Sequence, residues 1–189
     1  MKYTKEIAKT TTDPKILTEI LKEGKDDHVS YWAVNNPNCT PEILVEVLKR
    51  EKDDDISWRA VSNPNCPPEI LVEILRRGYS YLVSQSAAQN TNCPPEMLVE
   101  ILREGKGDAV SINAALNPNC PIEMLSKILR RGKFDVLSSY ASHNPNCPLE
   151  DKINWMMKTG QIKKEDPSKH IIEYEKIKED DFQDLKDLL

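Results

Sequence analysis

Five cysteines stand at positions 39, 66, 93, 120 and 147, and neighbouring ones are 27 residues apart every time. The surrounding strings match as well: NPNCTPEILVEVL, NPNCPPEILVEIL, NTNCPPEMLVEIL, NPNCPIEMLSKIL and NPNCPLEDKINWM. An uninterrupted period predicts a one-dimensional array, in which each unit buries its apolar side against its neighbours. Five full units are expected at 29–55, 56–82, 83–109, 110–136 and 137–163. A degenerate capping unit precedes them at 1–28, where Thr12, Pro14, Ile16, Leu17, Ile20 and Leu21 keep the register. Residues 164–189 are expected to form an acidic C-terminal cap or tail.

Six positions are identical in all five full units: a Ser (first Ser30), an Ala (Ala33), two Asn (Asn36 and Asn38), the Cys and a Glu (Glu42). Each unit parses into a short helix, a turn and a longer helix. Ser30 is placed to N-cap the short one, which is brief enough to be 3₁₀ or α. That helix must end before Asn36-Pro37, because the residue preceding Pro is pushed out of the α region. Cys66-Pro67-Pro68-Glu69 reads as a capping box opening the longer helix, with Thr12 in the cysteine's slot in the degenerate unit. Ile70, Leu71, Ile74 and Leu75 supply its buried stripe. Gly24, Gly78, Gly105 and Gly132 end the longer helices. The two Asn ladders are expected to bond from unit to unit.

The pattern V-S-x-x-A-x-x-N-P-N-C-P-P-E-I-L-x-x-I-L resembles the leucine-rich repeat variant family, whose helical arrays are akin to HEAT repeats. Over about residues 1–160 the resemblance implies an all-α, right-handed solenoid of 27-residue two-helix repeats, with no β-sheet. It further implies an interaction scaffold and names no ligand.

The charge sum, 26 Lys and Arg against 31 Asp and Glu, gives −5 and argues against unspecific nucleic-acid binding. No run approaches the about 18 apolar residues of a membrane helix. The opening MKYTKEIAKTTTDP lacks the apolar core of a secretory signal. With every cysteine expected to be free, a reducing cytoplasm fits, and a monomer without cofactor is expected. Stacked units about 10 Å apart hold their cysteines too far apart for disulfides or a shared metal. A row of reactive thiols at helix N-termini is the functional alternative to a buried structural role.

Function is expected where the units differ. Three offsets on the short helix vary: Tyr31, Trp58, Gln85, Ile112, Ser139; Trp32, Arg59, Ser86, Asn113, Tyr140; and Asn35, Ser62, Gln89, Leu116, His143. Helical spacing puts all three on one face, away from the apolar Val and Ala. Its aromatic and Arg content suits an exposed protein-binding surface. The partner-binding candidates are Tyr31, Trp32, Trp58, Arg59, Gln85, Ile112, Asn113, Tyr140 and His143. The rival is nucleic-acid binding through the column Lys49, Arg76, Arg103 and Arg130 at the helix C-termini. That column also satisfies the helix dipoles without any ligand. An enzyme reading would need Trp32, Trp58 and a nearby acid to converge in one cleft, and no catalytic residue is assigned.

Overall fold

The computed structural model describes residues 3–23, 25–52, 54–78, 80–104 and 106–162. The cap or tail expected at 164–189 and the helix-ending Gly24 and Gly105 lie outside the described residues. Those described are all-helical, with no strand. The short helices are α1 (Lys5–Thr10), α3 (His28–Val34), α5 (Asp55–Ser62), α7 (Tyr81–Gln89), α9 (Ala109–Leu116) and α11 (Val136–Ser142). They alternate with α2 (Pro14–Lys22), α4 (Pro41–Leu48), α6 (Pro68–Arg77), α8 (Pro95–Arg103), α10 (Ile122–Arg130) and α12 (Leu149–Lys158). The short members are α-helical; α3, α5 and α11 tighten to a 3₁₀-type bond at their C-terminal ends, as where Asn36 N–H donates to Ala33 O at 3.2 Å, while α1, α7 and α9 close on bonds four residues back.

Their N-caps correct the expectation placed on serine. Asp27 accepts from the backbone N–H of Ser30 at 2.8 Å, and Asp54, Asp108 and Asp135 do the same for Ser57, Ser111 and Ser138. The serines therefore sit inside the first turn and are buried. A carboxylate is the stronger cap, because it also meets the positive end of the helix dipole. In the third full unit Tyr81 occupies the aspartate's register, and the cap moves back to Ser80, whose hydroxyl is 3.4 Å from Val83 N.

The cysteines are not caps either. The caps of the longer helices are Thr40, Pro67, Pro94, Pro121 and Pro148, none with a side-chain capping bond. Proline in the first turn removes a donor that would otherwise want a partner. Each cysteine instead closes the preceding turn, with Cys39, Cys66, Cys93, Cys120 and Cys147 N–H donating to the carbonyl three residues back at 2.9 Å. Within that turn Asn38 N–H donates to Asn36 Oδ1 at 2.8 Å, a bond repeated in every full unit. The invariant glutamates lie exposed in the first turn of the longer helices, where the dipole favours them.

The Asn ladders carry the chain from one unit to the next. Asn63 Nδ2 donates to Val34 O at 2.8 Å, Asn90 to Val61 O at 2.7 Å, and Asn144 to Ala115 O at 2.6 Å. The second ladder runs alongside, with Asn65 donating to Pro37 O at 2.8 Å and Asn92 to Pro64 O at 2.6 Å. Short helices touch in chain order, α1 to α3 and onward to α11, while α2 meets α4 and α10 meets α12. The apolar stripe behind them, including Ile70, Leu71 and Ile74, forms one cluster that reaches from Ala8 to Trp155. Gly78 and Gly132 leave their helices at φ +65°, as a left-handed exit requires.

Candidate binding face on the short helices

The variable offsets come together most closely on α3 and α5. Tyr31 and Trp32 meet edge to face, with centroids 5.5 Å apart and planes at 78°. The Arg59 guanidinium lies 4.0 Å from the Trp58 ring centroid and 4.9 Å from that of Tyr31. From α1, Lys5 and Lys9 place their Nζ atoms 4.9 and 5.1 Å from the Trp32 centroid. Cation–π contacts at these separations are worth about 0.5–1 kcal/mol when exposed and more when desolvated. Neither lysine figures among the sequence candidates, although Lys5 stands one period before Trp32.

Tyr31, Trp32 and Trp58 are half-buried, which corrects the expectation that they stand exposed. Tyr31 and Trp32 pack against the apolar core as well as toward solvent. Gln85, Ile112 and Asn113 follow on α7 and α9, also half-buried, while Tyr140 and His143 on α11 are exposed. Ser86 departs from the pattern: it shares the Trp32 offset yet is buried. Several polar members bond to their own helix, Asn113 Nδ2 to Ala109 O at 2.9 Å and His143 Nδ1 to Ser139 O at 2.7 Å. Two others leave a polar atom sealed from solvent without a hydrogen-bond partner among the described residues, Arg59 Nε and Gln85 Nε2.

A cavity of about 500 Å³ adjoins the aromatic pair, lined by Lys5, Asp26, Asp27, His28, Tyr31, Trp32 and Asp55. Asp27 is the acid already committed to capping α3. The backbone N–H of Ser30 holds its carboxyl below the usual carboxylate range, against the opposing effect of desolvation. It is thus ionised and engaged at neutral pH, the wrong state for a proton donor.

Lys49, Arg76, Arg103 and Arg130 are all exposed, but two of the four are in ion pairs. Arg76 Nη2 lies 3.1 Å from Glu100 Oε2, and Arg130 Nε lies 3.0 Å from Asp151 Oδ1. The Ser126 hydroxyl, together with Arg130, holds the Asp151 carboxyl below its usual range. The adjacent Arg77 pairs with Glu73 at 3.0 Å and Glu51 at 3.5 Å. A column whose charges are answered in this way offers a phosphate backbone fewer free cations than its sequence suggests.

Burial pushes the thiols of Cys39, Cys66, Cys93 and Cys120 up to about 12 and that of Cys147 to about 11. These thiols stay protonated at neutral pH, which overturns the reactive-thiolate alternative, since the thiolate is the nucleophile. Among the described residues no group of three or more His, Cys, Asp or Glu is placed to hold a metal ion, and no helix is long and apolar enough to cross a membrane. No family model matches the chain, and no curated protein or solved structure does either.

Proposed function

We propose that the chain is a right-handed α-solenoid of 27-residue repeats, of the leucine-rich repeat variant kind. In this reading it is a non-catalytic scaffold that binds a protein partner through the variable face of its short helices. The observation that carries it is the assembly of Tyr31, Trp32, Trp58 and Arg59 on adjacent helices. Tyr, Trp and Arg concentrate in the energetic centres of protein interfaces, where large rigid rings bury area at little entropic cost. The repeated positions supply the array's backbone bonds, which leaves the variable ones free to be specific. Nucleic-acid binding through Lys49, Arg76, Arg103 and Arg130 is the weaker reading, because Arg76 and Arg130 are paired with acids.

The test is affinity capture with the full chain, followed by titration of the captured partner. Trp58→Ala should weaken binding by roughly 2 kcal/mol or more. It is a better probe than Trp32→Ala, since Trp32 also packs on the core. Replacing Arg76, Arg103 and Arg130 with Gln should change little. Binding that survives Trp58→Ala but is abolished by the arginine changes would overturn the reading.

A further inference from the structure

Resting on the reading that the short-helix face docks a protein, we propose that its α1–α3–α5 end takes an acidic peptide segment. The segment's carboxylates meet Arg59, Lys5 and Lys9. All three cations lie over aromatic rings, and none has a carboxylate within ion-pair distance among the described residues. The choice of rings over acids occurs although acids are close at hand. Asp55 stands one turn before Arg59 on α5, and Glu6 lies between Lys5 and Lys9 on α1.

The guanidinium is the most specific element. Its Cζ lies 4.0 Å from the Trp58 ring centroid, and among the described residues its Nε is sealed from solvent without a hydrogen-bond partner. Among the described residues the two Nη groups have no hydrogen-bond partner, and they are not sealed from solvent. A guanidinium held beside rings can still offer an edge of parallel donors, the arrangement that matches a planar carboxylate. The open Nη donors face solvent, and an incoming carboxylate replaces that water with a charge-assisted pair. Lys5 and Lys9 lie on α1, across α3 from Arg59, as further positive charges. Asp26, Asp27 and Asp55 line one cavity together with Lys5, Tyr31 and Trp32, so they repel an acidic chain on that side and direct it toward Lys9 and Arg59. A single-stranded nucleic acid is the poorer occupant. Base stacking needs open ring faces, and the chain's own cations already cover one face of Tyr31, Trp32 and Trp58.

The experiment uses the full chain with three fluorescein-labelled probes: a peptide of alternating Glu and Ser, its Gln and Ser counterpart, and an oligothymidylate of matched length. Anisotropy at low and moderate salt should show binding of the Glu peptide that weakens steeply as salt rises. The Gln peptide should bind at least about tenfold more weakly, and Arg59→Gln should cost the Glu peptide about the same factor, the size of one charge-assisted pair. Arg59→Lys should recover only part of it. Equal binding of the two peptides, no binding of the Glu peptide, or tighter Arg59-dependent binding of the oligothymidylate would each overturn the proposal. The face reading fails separately. A captured partner sensitive to Trp58→Ala but indifferent to Arg59→Gln would sink the acidic segment alone, whereas indifference to Trp58→Ala would sink the face itself.

Discussion

Asn117 Nδ2 donates to two carbonyls of the preceding unit, Ala88 O at 2.7 Å and Asn90 O at 2.9 Å, while its Oδ1 accepts from Asn119 N–H at 2.8 Å. One buried amide thus satisfies three backbone groups and ties two units together. Asn117→Ala should cost about 3 kcal/mol, because a buried polar group left unpaired costs about 1–3 kcal/mol and more than one is orphaned. Asn117→Asp should be worse at pH 7, since a carboxylate cannot donate to two carbonyls. Urea unfolding measures both, with Asn113→Ala, a half-buried amide bonded only within its own helix, as the control at well under 1 kcal/mol. Equal costs for Asn117→Ala and Asn113→Ala would refute the ladder's importance.

The second prediction starts from Glu51, which adopts φ +54° in the slot where Gly78 and Gly132 end their helices. A residue with a Cβ pays about 1–2 kcal/mol for the left-handed region, and glycine pays much less. Glu51→Gly should stabilise the protein by about 1 kcal/mol. The exposed 3.5 Å pair with Arg77 that it forfeits is worth a few tenths at most. Glu51→Ala keeps the strain and loses the pair, so it should not stabilise. A thermal melt of the two variants beside the parent decides the matter.

What was legible in the sequence follows from which residues carry local constraints. Pro37 and its counterparts stop the short helices, Pro41 and Pro68 start longer ones, and the paired asparagines announce backbone bonds. All of these act within a few residues. The capping aspartates were hidden because Tyr81 interrupts their column, and strict identity then favoured Ser30. The cysteine was misread because Thr12 shares its slot and threonine is a good cap; the turn takes its N–H and the core takes its sulfur. Lys5 and Lys9 were missed for a different reason. Only packing of α1 against α3 shows that these charges rest on Trp32.

The third prediction concerns Cys93, which is fully buried, one residue before the helix cap. Since the thiol acts as a small apolar group, Cys93→Ser should cost about 1–3 kcal/mol by burying a hydroxyl. Cys93→Ala should cost less, because it leaves only a small void. The opposite order would restore a capping role to this position. In the native protein a thiol reagent at pH 8 should modify the half-buried Cys147 first and the other four slowly, matching the thiols pushed up to about 12. Immediate labelling of all five would contradict that burial.

The last prediction is the acid limb of stability. The Ser30 N–H holds the Asp27 carboxyl below its unfolded value of about 3.9, and Asp151 is lowered in the same direction by Ser126 and Arg130. A depressed folded value means that the unfolded chain binds protons more readily. Each group's contribution is therefore complete above about pH 4–5 and disappears as pH falls through the folded value. Stability should be flat with respect to these two groups from pH 6 to 8 and should drop below pH 4. Asp27→Asn keeps a good cap, so its cost at pH 7 should be no more than a few tenths of a kcal/mol. It removes one titrating carboxylate, so the fall in stability between pH 4 and pH 2 should be shallower than in the parent. Denaturant midpoints measured every half pH unit test this. If parent and Asp27→Asn fall in parallel over that window, the carboxylate is not bonded to Ser30 N–H as an ionised cap.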